Sequence, residues 1–167
     1  MKAQTEIIVF VLLFAIGIVL LTTAVLWSRG VLEQNTDLIK VRNSEDFMIE
    51  LDQRITNLIK NGGSERINYP LTGTIQLVGS DTIEVRDTVN IELPTTWVNI
   101  TRGASYIREI KEGNTLRIQL IYPEGGYKVQ LFTEGPTLAR PARVAIEKND
   151  TLVSNNVQLI KIKITFL

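Results

Sequence analysis

Glu6 is the first residue whose type and position could do chemistry: it is a carboxylate at the head of the uncharged apolar run Ile7–Trp27. Taking such a group into a bilayer or a bundle of apolar helices costs roughly 3 kcal/mol unless it is paired. Two roles follow. Either Glu6 pairs with a cation where the helix is buried, or it stays at the lipid headgroups and complements the positive end of the helix dipole. Two further positions invite covalent chemistry, since Asn99-Ile100-Thr101 and Asn149-Asp150-Thr151 both fit the N-glycosylation acceptor and fall near expected strand ends or turns. Conventional catalysis has little to work with. The chain contains no Cys and no His, which removes disulfides, the usual zinc ligands, thiol nucleophiles and imidazole bases. No Gly-rich phosphate loop or Ca²⁺ loop is present, so neither a metal nor a cofactor is expected, and the chain does not read as an enzyme. Lys+Arg and Asp+Glu are equal at 18 each, with no basic cluster, which leaves no electrostatic footprint for nucleic acid.

These residues need elements to position them. The run 7–27 is long enough to cross the ~30 Å hydrocarbon core as a helix. It exceeds the roughly 7–15 apolar residues of a secretory signal core, which favours a retained helix. Gly17, with Ala15 and Ala24, would let another helix approach closely, and Trp27 beside Ser28-Arg29 suits an interfacial anchor. The pattern continues without Pro into an amphipathic stretch over 31–60, where Leu38, Val41, Met48, Leu51, Ile55 and Leu58 form one apolar stripe. Asn61-Gly62-Gly63-Ser64 is a helix-stop signal. The C-terminal half of the stripe is expected to pack on the head of its own chain, and the N-terminal half on other subunits.

Beyond Gly63 the period changes to two. Ile83/Val85, Val89/Ile91/Leu93, Leu116/Ile118/Leu120, Tyr127/Val129/Leu131 and Ala142/Val144/Ile146 alternate with polar residues, which predicts strands with one wet face. Turn residues separate them at Gly79-Ser80-Asp81, Gly113-Asn114, Pro123-Glu124-Gly125-Gly126, Gly135-Pro136 and Asn149-Asp150. In the last strand the apolar phase slips between Val157/Leu159 and Ile160/Ile162/Ile164/Phe166, which predicts a bulge or a change of sheet. The expected fold is α+β: a long N-terminal helix over 4–61, apolar and then amphipathic, followed by an antiparallel β-sandwich head over 64–167 with about seven or eight strands.

Lys2-Ala3-Gln4-Thr5-Glu6, followed directly by Ile7-Ile8-Val9-Phe10, resembles the class III signal peptide of archaeal type IV pilins and archaellins. The resemblance covers about the first 30 residues in sequence and the rest in architecture. It implies a prepilin-type peptidase that cuts after Lys2 and Ala3, so that residues 1–3 are a short leader and Gln4 opens the mature chain. It also implies that Glu6 is the family's acidic residue, for which the freed amine of a neighbouring subunit is a suitable partner. Assembly contacts would then fall on Glu6, Ile7, Phe10, Phe14 and Gly17.

The function this implies is that of a structural subunit in a helical homo-oligomeric filament used for adhesion or motility. The helix would form the filament core and the head its surface, with Asn99 and Asn149 offered for glycosylation. The subunit would wait in the cytoplasmic membrane until an assembly ATPase and a platform protein moved it into the extracellular filament. The nearest alternative is a single-pass anchored β-sandwich protein that never polymerises, such as an archaellum stator-like or surface-binding component. A membrane-tethered enzyme or solute-binding domain would need a concave polar site, and no residue cluster places one.

Overall fold

The computed structural model describes residues 2–101, 105–123, 125, 127–154 and 157–167, excluding the side chains of residues 2–7 and of Ser154. The chain divides into two compact units, Met1–Asp37 and Leu38–Leu167. A single helix, α1, spans Lys2–Asn61 and so contributes to both.

In the first unit α1 carries the apolar run, and no own-chain core is built there. Its stretch from Ile8 onward is long and apolar enough to cross a membrane. The second unit begins with the rest of α1, where Val41, Phe47, Met48, Leu51, Ile55 and Leu58 are buried in the main hydrophobic cluster. These spacings bring one stripe of the helix onto the core, as the periodicity predicts. Leu38 departs from the stripe and is exposed. The helix ends where the glycines stand: Gly62 takes a φ of 73° and its N–H donates to the Leu58 carbonyl at 2.8 Å, a left-handed cap that an L side chain would strain.

Among the described residues ten strands follow: β1 (Ser64–Asn68), β2 (Thr74–Val78), β3 (Thr82–Thr88), β4 (Val98–Asn99), β5 (Tyr106–Glu112), β6 (Thr115–Ile121), β7 (Tyr127–Phe132), β8 (Leu138–Ala139), β9 (Arg143–Ser154) and β10 (Val157–Phe166). Two of them, β4 and β8, have only two residues each. They form a four-stranded sheet ordered β1-β9-β10-β7 and a six-stranded sheet ordered β4-β5-β6-β3-β2-β8. The class is α+β with a long N-terminal helix, as expected. Among the described residues all pairings are antiparallel except β7 with β10, which run parallel. The chain makes that pairing possible by crossing to the other sheet at β8 before returning through the β9–β10 hairpin.

Both sheets turn an apolar face to the core. Ile75, Ile83, Val85, Ile107, Leu116, Ile118 and Leu120 come from the six-stranded sheet, and Ile67, Val129, Leu131, Val144, Ile146, Ile160, Ile162 and Ile164 from the other. Truncating any fully buried one to Ala would cost about 2–5 kcal/mol. Gly73 has a different constraint. A Cβ there would lie 2.0 Å from the Arg86 carbonyl oxygen, so only glycine lets the β1–β2 connection press against β3.

Three expectations are corrected. Val89/Ile91/Leu93 do not form a strand; the segment lies in the β3–β4 connection, held by Val89 N–H donating to the Asn114 carbonyl at 2.9 Å. Val89 and Ile91 are nevertheless buried, so their apolarity serves a loop that covers the core. Asn149-Asp150 is not a turn, since β9 runs through it to Ser154. The bulge is real but differently placed: Lys161 pairs with Asp150 and Ile162 with Lys148, which leaves Asn149 as the extra residue on β9. Of the predicted β6–β7 turn, Glu124 and Gly126 lie outside the described residues.

Candidate assembly surface and head sites

From Ile8 to Leu21 every large apolar side chain of α1 is exposed, with Phe10 at 72% and Phe14 at 64%. Consecutive residues point all round a helix, so this stretch is apolar and exposed on every side. A helix apolar on every side is stable only where something other than water surrounds it. Its few polar groups are already satisfied. The Thr22 and Thr23 hydroxyls donate back to the Ile18 and Val19 carbonyls, each at 2.8 Å, so neither presents an unpaired donor to an apolar neighbour. Thr36 does the same with Leu32.

Phe10, Phe14 and Gly17 fall at i, i+4 and i+7 and therefore share one face. Nothing lies within 4 Å of where a Gly17 Cβ would stand, so an open notch follows the two large rings on that face. Trp27 closes the apolar run and is exposed, as an interfacial ring would be. The side chains of Lys2, Ala3, Gln4, Glu6 and Ile7 lie outside the described residues.

Both sequon asparagines are exposed, on different sheets. Asn99 sits in β4 opposite Arg108, and Asn149 is the bulge residue of β9. The bulge leaves Asn149 without a cross-strand partner on β10, turned to solvent. Its expected position at a turn was wrong; its exposure was not.

The outer face of the six-stranded sheet is more ordered than a simple wet face. Gln76, Glu84, Gln119 and Arg108 occupy successive register positions across β2, β3, β6 and β5. Their side chains form a ladder: Gln76 Nε2 donates to Glu84 Oε1 at 2.8 Å, Gln119 Nε2 donates to Glu84 Oε2 at 2.5 Å, and Arg108 Nη2 donates to Gln119 Oε1 at 2.8 Å. Arg117 Nη2 reaches Glu84 at 2.7 Å and Arg86 Nε reaches it at 2.5 Å. The carboxylate they enclose is fully buried. Burial pushes the Glu84 pKa up, but hydrogen bonds from Arg117, Gln119 and Arg86 outweigh it and hold the carboxyl below its ordinary range. The Arg108 guanidinium lies 4.3 Å from the Trp97 ring centroid, and Arg117 5.5 Å, adding a cation–π contact at the sheet's edge. In the sequence these residues stand in the polar phase of their strands, and the local pattern carries no sign that they meet around one carboxylate.

The C-terminal part of α1 makes polar contacts with the rest of the head, among them Arg54 Nη1 donating to Glu65 Oε2 at 2.7 Å and Lys148 Nζ donating to the Ile59 carbonyl at 2.8 Å. Asp52 Oδ1 accepts from Ser105 Oγ at 2.7 Å and from the Tyr122 hydroxyl at 2.8 Å. Nearer the start of the buried stripe, burial raises the half-buried Glu45 carboxyl and the charge of Glu109 on β5 adds to it. Among the described residues no group of three or more His, Cys, Asp or Glu is arranged to hold a metal. No protein-family model, curated protein or solved structure matches this chain.

Proposed function

We propose that this chain is the structural subunit of an extracellular type IV pilus-like filament. The observation that carries the reading is the division of labour along α1. From Ile8 to Trp27 the helix is apolar on every side and uncovered, whereas from Val41 onward the same helix is part of the core of a β-sheet head. An uncovered apolar helix fits two environments in turn. Lipid surrounds it while the subunit waits in the cytoplasmic membrane, and the helices of other copies replace lipid in the filament.

Side-chain packing through the Phe10, Phe14 and Gly17 face supplies specificity in the second state, because lipid chains are as apolar as Ile or Leu and only packing discriminates. Ile7 extends the same apolar contact by sequence. Moving a helix out of lipid requires work from a separate motor, in this reading a cytoplasmic ATPase acting through a platform protein. A prepilin-type peptidase would first cut between Ala3 and Gln4, freeing an amine for Glu6 of a neighbouring subunit. The head forms the outer surface, where the exposure of Asn99 and Asn149 suits glycosylation.

The test is negative-stain microscopy of purified surface filaments together with mass spectrometry of their subunit. The expected result is filaments of this chain beginning at Gln4, with added glycan mass on peptides containing Asn99 or Asn149. Recovery of the chain only as a membrane-bound monomer with an intact N-terminus would sink the filament reading in favour of a non-polymerising anchored protein.

A further inference from the structure

Where β2, β3 and β6 meet the β1–β2 connection, the head carries an open cleft of about 260 Å³ lined by Thr72, Thr74, Arg86, Asp87, Thr88 and Thr115. Gly73 borders it too, and the absence of a Cβ there lets the connection lie against β3 and form one wall. Register fixes the rest of the lining. Thr74 stands opposite Arg86 across β2 and β3, and Thr88 stands opposite Thr115 across β3 and β6. Alternate residues of a strand share a face, so Arg86 and Thr88 project from the same side of β3 as Glu84, the outer face of the sheet.

The charged groups of the cleft are held in place. Arg86 Nε donates to Oε1 of the fully buried Glu84 at 2.5 Å, which anchors one edge of the guanidinium. Its two terminal nitrogens make no hydrogen bond among the described residues, and the side chain is 44% exposed. Asp87 is fixed by Thr72 Oγ1, which donates to Oδ2 at 2.7 Å, and by the Thr88 N–H, which donates to Oδ1 at 2.8 Å. The hydroxyls of Thr74, Thr88 and Thr115 have no partner among the described residues.

The cleft therefore presents a guanidinium fork beside hydroxyls that can donate or accept. A planar carboxylate matches such a fork with paired hydrogen bonds, and hydroxyl groups on the same ligand match the threonines. Asp87 repels a second negative charge, which favours a monoanion over a phosphate dianion. The volume falls below the roughly 300–1,000 Å³ of pockets that enclose drug-sized ligands, which leaves room for one sugar ring. We propose that this cleft binds a monosaccharide bearing a single carboxylate, with that carboxylate on the Arg86 terminal nitrogens and the ring hydroxyls on Thr74, Thr88 and Thr115. Anchoring of Arg86 by Glu84 lowers the ordering cost of binding. The site lies wholly in the head and stands whether or not the chain polymerises.

The experiment follows the Thr methyl and Arg side-chain NMR signals of the full chain in detergent micelles at neutral pH. Glucuronate is the probe, with glucose, acetate and inorganic phosphate titrated in parallel. The expected result is saturable shifts of the Thr74, Thr88 and Thr115 signals, with half-saturation by glucuronate at about 1 mM and at least tenfold weaker binding of the other three. Arg86→Lys keeps the charge but loses the fork, and should weaken glucuronate about tenfold. Thr88→Val and Thr115→Val keep the side-chain shape and the strand preference, and each should weaken glucuronate about fivefold without changing acetate. Acetate or phosphate binding as tightly as glucuronate overturns the proposal in favour of a plain anion site, and glucose doing so removes the role of Arg86. No saturable shift, or unchanged glucuronate binding in the folded variants, overturns it as well. Should Arg86→Lys fail to fold, the threonine variants and the comparison of the four ligands decide.

Discussion

The Tyr122 hydroxyl donates a 2.8 Å hydrogen bond to Asp52 Oδ1, tying the residue after β6 to the C-terminal part of α1. Burial, and then the Asp52 charge, push the Tyr122 pKa well above 10, so the phenol stays a donor throughout the accessible pH range. Hydrogen bonds to a charged group contribute about 1.5–3 kcal/mol, and Tyr122→Phe removes this one without altering the ring's packing. Its unfolding free energy should fall by that amount in urea titrations of the folded head. Ser105→Ala should cost about 1 kcal/mol, since Asp52 would keep the phenol. Equal stability of Tyr122→Phe and wild type would show that water replaces the bond.

Glu84→Gln tests the outer ladder. Arg86 and Arg117 face each other across the β3–β6 register with Glu84 beside them, and the substitution leaves the two guanidinium groups without their shared counter-charge. Losing one partner of a buried pair costs 3–5 kcal/mol where both charges are buried. Because the Arg86 side chain is 44% exposed and that of Arg117 23%, solvent screening lowers the expectation to about 2 kcal/mol. The pH dependence has a definite sign. A carboxyl held below its ordinary range gives stability that is present above the unfolded value and lost as pH falls through the folded one. Thermal melts of Glu84→Gln should therefore show a smaller loss below about pH 4 than wild type. Burial raises the Glu45 and Glu109 carboxyls, which acts in the opposite direction, so wild-type stability should peak at mildly acidic pH.

The features legible in the sequence were those written in one residue's neighbourhood. The end of α1 could be read because Gly62 is needed at a positive φ, and the inward phases of β3, β6 and β7 because period two is local. Val89, Ile91 and Leu93 misled because a loop that covers a core needs apolar residues as much as a strand does. Asn149-Asp150 misled because the residue types that favour a turn also tolerate a bulge. The parallel pairing of β7 with β10 and the convergence of Gln76, Glu84, Arg117 and Gln119 depend on which strands become neighbours. No local pattern encodes that.

Removing residues 1–30 should yield a soluble, monomeric head. The buried apolar core starts at Val41, and among the described residues the large apolar ones removed are exposed. Residues 31–167 should elute as a monomer and unfold cooperatively, with the Tyr122→Phe and Glu84→Gln effects preserved. Fibres or large aggregates would instead implicate a surface of the head. The exposed Leu152, Val153 and Val157 near the β9–β10 tip would be the first to replace with polar residues.

Glu6→Gln separates the two roles open to that carboxylate. If Glu6 pairs with the amine of a neighbouring Gln4 inside the filament, the substitution removes a charge-assisted contact and leaves an ammonium buried without its counter-charge. Insertion into the membrane should be unchanged or slightly favoured, because a neutral amide is cheaper to place beside lipid than a carboxylate. Filament yield should nevertheless fall at least tenfold, the equivalent of about 1.4 kcal/mol per added subunit. If Glu6 only complements the helix dipole, the change is worth about 0.3–1 kcal/mol and acts in both states, so assembly should hardly alter. The measurement is filament mass per cell at matched amounts of processed subunit in the membrane, so that slower cleavage before Gln4 is not counted as poor assembly. Wild-type filament mass under that control would remove Glu6 from the subunit contact and leave the Phe10, Phe14 and Gly17 face to carry it.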